Sequence, residues 1–224
     1  IEIFLDEKSL IKNFIAKGTI KGLQVELLNG LKLTKTNLSF FADKSDILIK
    51  NIFGNIEDIK ISDGDIKLNL DNGVKINSNF SSKIIYDQSL YNKYAKFLKK
   101  YEISDNVISL SADLNNNFSI NLDNTYKVKN YNYSFSGKIK NSEFELSKPF
   151  KNNFIIEEID KIYLSNFEIN STFNQSNIRI KGIGKYSFNN LEFYKLDLTN
   201  IFAKDLINLK SNFEYGNNLE LGLI

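Results

Sequence analysis

The stretch Asp63–Lys75, DGDIKLNLDNGVK, decides the fold. Ile66, Leu68 and Leu70 alternate with Lys67 and Asn69, and the run stops at Asp71, Asn72 and Gly73. Successive side chains of a strand point to opposite faces, so this run has one apolar and one solvated face. Asp-Gly and Asn-Gly accept the positive φ of tight hairpin turns. A half-buried strand that ends in such a turn pairs antiparallel with whatever follows it. Parallel strands, covered on both sides, read instead as continuous apolar runs.

The same writing extends in both directions. Phe118, Ile120 and Leu122 alternate with Ser119 and Asn121, as do Tyr131, Tyr133 and Phe135 with their polar neighbours. Phe144 and Leu146, Phe167 and Ile169, Ile178 and Ile180, and Leu196 and Leu198 repeat the pattern. Asp63-Gly64, Asn115–Asn117 and Gly216–Asn218 read as further turns. Strands are expected near 56–62, 65–71, 74–85, 107–114, 117–123, 126–140, 142–147, 160–171, 176–188, 190–199 and 205–224. The stretch 11–53 is similar but less regular, and its inward parity stays open.

One segment changes period. Leu90, Tyr94, Phe97, Leu98 and Tyr101 recur at helical spacing, Asp87 suits an N-cap, and Lys93, Lys96, Lys99 and Lys100 fill the other face. The expected fold is therefore mainly β, a long curved antiparallel meander with one amphipathic helix near 87–101. The expected organisation is a first meander over 1–85, the helix over 86–102, and a second meander over 103–224 that continues the same sheet.

Composition narrows the function. The chain has 224 residues and net charge +2, too small an excess for a nucleic-acid partner. It starts at Ile1 and has no Met, which reads as an internal segment of a longer protein. There is no Cys, so disulfides and thiolate metal sites are excluded. There is no His either, which removes Ser-His-Asp and Cys-His catalysis and His-ligated zinc. No apolar run approaches the ~20 residues of a membrane-spanning helix, and no signal peptide is visible.

The remaining motifs favour structure over chemistry. Asp63-Gly64-Asp65 and Asp71-Asn72-Gly73 are interrupted by a strand, whereas a calcium loop is continuous. Gly182-Ile183-Gly184-Lys185 lacks the leading glycine and the following Ser/Thr of a phosphate loop, so glycines kinking a strand explain it better. Glu157, Glu158 and Asp160 form an acidic cluster with no companion pocket. No catalytic residue, metal ligand or cofactor is expected, and the protein is read as a non-enzyme.

So many amphipathic strands must hide their apolar faces in a sandwich, in a barrel that can face lipid, or in a curved gutter that holds apolar ligands. The stretches Phe14–Leu23 (FIAKGTIKGL), Leu38–Asp43 (LSFFAD), Ile47–Lys50 (ILIK), Ile52–Ile56 (IFGNI), Ile61–Leu68 (ISDGDIKL) and Gly182–Phe188 (GIGKYSF) resemble the β-repeats of AsmA-like, YhdP-type periplasmic proteins. That family is similar in architecture to TamB and the bridge-like lipid-transfer proteins. The resemblance implies a segment of an inner-membrane-anchored protein of a Gram-negative periplasm. It would conduct phospholipid acyl chains toward the outer membrane, touching both membranes through parts beyond this chain. The implied groove lining is Ile66, Leu68, Leu70, Phe118, Ile120, Leu122, Phe135, Phe144, Leu146, Phe167, Ile169, Ile178 and Ile180. The alternative is a structural or adhesive β-domain of a cell envelope, with a closed dry core.

Overall fold

A computed structural model of the chain describes residues 2–5, 11–26, 31–57, 59–87, 107–151, 158–203, 206–215 and 219–223. Among the described residues, thirteen strands follow one another as β1 (Glu2–Leu5), β2 (Ile11–Glu26), β3 (Lys32–Ala42), β4 (Asp46–Ile56), β5 (Ile59–Asn69), β6 (Val74–Tyr86) and β7 (Val107–Leu122). Then come β8 (Val128–Phe150), β9 (Ile159–Asn174), β10 (Asn177–Phe188), β11 (Tyr194–Ala203), β12 (Leu206–Tyr215) and β13 (Leu219–Leu223). Their order in the sheet is their order in the sequence, an antiparallel meander with β1 and β13 at its two ends. The helix expected near 87–101 falls on 88–101, outside the described residues; Asp87 is irregular chain after β6.

Two expected turns are strand interior. Asp63-Gly64 lies within β5, and Asn115–Asn117 lies within the continuous β7. The strands expected over 126–140 and 142–147 are likewise one strand, β8. At Asp71–Gly73 the turn is where the sequence placed it, with Gly73 at φ 89°.

The chain gathers into two compact units, one of Ile1–Ser82, Asn115–Ser134 and Phe173–Gln175, the other of Lys83–Leu114, Phe135–Thr172 and Ser176–Ile224. In the first unit, a row of β-bulges explains the irregular reading of 11–53. Between Ile20↔Leu38 and Leu23↔Thr36, β2 carries one extra residue, and Gly22 sits there at φ 66°. Lys35 (φ 52°) is the extra residue of β3, Asn51 (φ 54°) that of β4 and Asp63 (φ 53°) that of β5. A bulge leaves one residue unpaired and lets the strand resume its pairing with shifted parity. Apolar residues therefore switch between odd and even numbers while staying on one face. Ile47 and Ile49 pair with Leu68 and Ile66, and beyond the bulges Ile52 pairs with Gly64, Gly54 with Ile61 and Ile56 with Ile59. On the other side, Phe40 faces Ile49 and Leu33 faces Ile56.

Side chains of neighbouring strands tie down the bulged backbone. The Gly22 amide donates to Asn37 Oδ1 at 3.0 Å, and the Asn51 amide donates to Asp65 Oδ1 at 3.2 Å. Thus the amides freed from the ladder at Gly22 and Asn51 still have acceptors.

The second unit shows the same economy at β9–β12. Leu196, Leu198, Asn200 and Phe202 of β11 face Gly184, Gly182, Ile180 and Ile178 of β10, and Phe213 faces Leu196. The Phe167 ring lies over Gly182, where any β-carbon would collide with it. Glycine is required there by close approach rather than by backbone freedom. Tyr186 gathers Phe188, Tyr194 and Phe213 around it, with ring centroids 5.1, 6.2 and 6.4 Å away.

Candidate functional site

The apolar face of each unit is a candidate site, because its large side chains are only partly covered. Among the described residues, the fully buried apolar side chains are Ile61, Ala112, Ile159, Phe167 and Tyr186. Ile66, Leu68, Phe118, Ile120, Leu122, Phe135, Phe144, Leu146, Ile169 and Ile180 are half-buried. Leu70 lies just past the end of β5 and is exposed, as is Ile178 near the start of β10. Phe167 is the exception among the expected lining residues: it is 3% exposed and used up in packing on Gly182.

Registers bring some of these residues together. Ile66 and Leu68 share a face with Ile49, Ile47, Phe40 and Ala42, since directly opposed residues in an antiparallel pair lie side by side. Ile178 and Ile180 share one with Phe202 and Asn200. Phe118, Ile120 and Leu122 follow Asn116 at two-residue intervals and so lie on its side of β7.

Asn116 marks a polar island on that face, which alternation alone does not disclose. It is 3% exposed. Its Nδ2 donates to Ser82 Oγ at 2.9 Å and to the Phe80 carbonyl at 3.2 Å, while its Oδ1 accepts from Tyr133 Oη at 2.7 Å. Burial pushes the Tyr133 hydroxyl above its ordinary pKa, so it stays a neutral donor. Tyr133 also stacks at a tilt on Phe173, 5.9 Å between centroids. Hydrogen bonding of this kind offsets the desolvation of a buried amide.

In the second unit, charged side chains pair with one another near the surface. Lys161 Nζ reaches Glu143 Oε1 at 2.8 Å and Tyr163 Oη donates to the same oxygen at 3.2 Å. The hydrogen bond to Glu143, then its charge, holds Lys161 above the ordinary lysine range; burial first, then the Glu143 charge, raises Tyr163. Lys140 pairs with Asp113, and Lys195 with Glu214 at 3.4 Å. These partly exposed pairs contribute little stability individually. A shallow cleft in the second unit is lined by Glu168, Ile183, Lys185, Leu196, Asp197 and Glu214, and one in the first by Lys50, Asp65, Ile66 and Asn79.

Of the acidic cluster, Glu157 lies outside the described residues, and the Asp160 amide donates to Asn189 Oδ1 at 3.1 Å. Among the described residues, no three acidic groups are placed to hold a metal ion. No helix among them is long and apolar enough to cross a membrane. No family model, curated protein or solved structure matches the chain.

Proposed function

We propose that the chain is a non-catalytic segment of an AsmA-like envelope protein whose apolar sheet face shelters phospholipid acyl chains. The observation that carries this reading is the half-buried apolar face itself. Across β2–β5 the bulges at Gly22, Lys35, Asn51 and Asp63 keep Ile20, Leu23, Leu33, Phe40, Ile49, Ile52, Ile56 and Ile66 on that face, while Phe41, Leu48 and Phe53 lie on the other. A contiguous apolar surface of this kind in a soluble setting serves as a binding surface. Acyl chains fit it because they need area and no fixed donors; each buried methylene contributes about 0.8 kcal/mol. Headgroups remain in water, which gives broad lipid selectivity. The protein would work in a Gram-negative periplasm, reaching the inner and outer membranes through parts outside this chain, without cofactor or nucleic acid.

The packing of Phe167 on Gly182 favours a second reading locally, a structural β-domain with a closed core. Mass spectrometry of lipids extracted from the gently purified chain separates the two. Stoichiometric phospholipid is the expected result. A stable, lipid-free monomer sinks the acyl-chain reading and leaves the structural one.

A further inference from the structure

Eight non-glycine residues among those described hold positive φ, and five of them are Asn or Asp, which tolerate it. Lys35 absorbs the extra residue of β3. Glu57 closes the β4–β5 turn and accepts the Lys32 amide at 2.6 Å. The remaining one is Tyr126, at φ 60° and with 74% of the residue exposed.

The turn around Tyr126 is held rigidly. The Tyr126 amide donates to the Asp123 carbonyl at 2.9 Å, and the Asp123 amide donates to the Lys127 carbonyl at 2.9 Å. Asp123 Oδ1 accepts from the Thr125 amide at 2.8 Å, from Thr125 Oγ1 at 2.7 Å and from the Lys127 amide at 3.0 Å. Beside it, Gln175 Nε2 donates to the Lys129 carbonyl at 3.1 Å. A three-residue hairpin loop of this form takes glycine at its left-handed position. Here a bulky ring occupies that position and points into water, against both local backbone preference and the hydrophobic effect.

The surroundings indicate what such a ring meets. Lys127 and Lys129 are exposed, Val128 is 51% exposed and Tyr131 is 39% exposed. From Asn124 to Asn132 there is no acidic residue, and the Asp123 carboxylate is turned onto the loop amides. Asp71 is an acidic neighbour, on the adjoining β5–β6 hairpin, whose Gly73 abuts the Leu122 carbonyl, and Asp46 lies beyond it, both accepting from Asn69 Nδ2. Phenol rings settle at the headgroup level of a bilayer, and lysines are attracted to anionic lipid surfaces. We propose that the β7–β8 turn is a membrane-surface contact in which Tyr126 and Val128 enter the headgroup layer of an anionic bilayer while Lys127 and Lys129 pair with lipid phosphates. This contact is separate from the acyl-chain face, so a lipid-free chain in the extraction above leaves it standing.

The chain contains no Trp, so Tyr126→Trp places a single fluorescent reporter at the tip. Its emission is expected to shift to the blue on adding vesicles of phosphatidylglycerol and phosphatidylethanolamine. Phosphatidylcholine vesicles are expected to leave it unchanged. Combining it with Lys127→Gln and Lys129→Gln should weaken vesicle affinity about tenfold or more. In the otherwise native chain, Tyr126→Gly should relieve the strained backbone, hold or raise thermal stability, and reduce co-sedimentation with the anionic vesicles. An unshifted emission, or a Tyr126→Gly chain that sediments like its parent, overturns the proposal.

Discussion

At φ 52° the Lys35 backbone lies in the left-handed region, which disfavours an L-residue with a long side chain by about 1–2 kcal/mol. The exposed Lys35 side chain offers little to offset this. Lys35→Asn is expected to raise the stability of the chain by about 0.5–1 kcal/mol, read as a higher urea midpoint at unchanged slope. Asp123 acts in the opposite sense as a stabilising turn residue. The Thr125 hydroxyl first, then the backbone amides of Lys127 and Thr125, hold its carboxyl below the ordinary value. A depressed folded-state pKa gives stability that is full above the unfolded value and is lost as pH falls through the folded one. Asp71 is lowered in the same direction, chiefly by the side chain of Asn69 and then Ser45. Urea midpoints measured from neutral pH down through the carboxylate range should fall, and Asp123→Asn should make that fall shallower. Parallel slopes for the two chains mean the turn carboxylate is uncoupled from folding.

The bulge row shows at the scale of the strand why numbering parity and facing are different things. In β4 the extra residue is Asn51, so removing it leaves Ile47, Ile49, Ile52, Gly54 and Ile56 in strict alternation. Its loss removes the amide bond to Asp65 and the bulge, a cost of about 1 kcal/mol. Deleting Lys67 from the regular part of β5 is a different operation. It swings Leu68 to the solvated side and brings Asn69 onto the apolar one, because a strand has a period of two. The chain without Asn51 should retain cooperative unfolding and its far-ultraviolet strand signal. The chain without Lys67 should lose several kcal/mol, a Leu burial together with a buried amide, and unfold broadly or aggregate. Equal behaviour of the two deletions contradicts the assignment of Asn51 as the extra residue.

At the scale of the whole chain, the proposed function rests on hydrophobic contact spread over many half-buried apolar side chains. The acyl-chain reading belongs to this scale, since no single residue carries it. Ile66→Asp together with Phe118→Asp places two carboxylates on half-buried positions of the apolar face. Co-purifying phospholipid should drop severalfold while circular dichroism keeps its strand signal, because the sheet's backbone hydrogen bonds are untouched. Undiminished lipid in a folded double variant rules out that face as the lipid surface.

The strand class, the antiparallel order and the turn at Asp71–Gly73 were legible from residue order alone, because alternation and turn chemistry are local signals carried by neighbouring residues. Side-chain type alone did not settle burial: Leu70 and Ile178, picked out by the same alternation as the half-buried Ile66 and Phe118, are exposed. How Asp63-Gly64 is used depends on long-range strand pairing. Its tolerance of positive φ serves a hairpin turn or a bulge equally well, and the neighbouring strand β4, with Asn51 as its own extra residue, selects the bulge. The same holds for Asn115–Asn117, read as a turn from its polarity. There Ser82 and Tyr133, 34 and 17 residues away, supply the hydrogen bonds that let Asn116 stay inside a continuous strand. Local chemistry sets which conformations a residue can take; pairing with distant strands sets which one it does take.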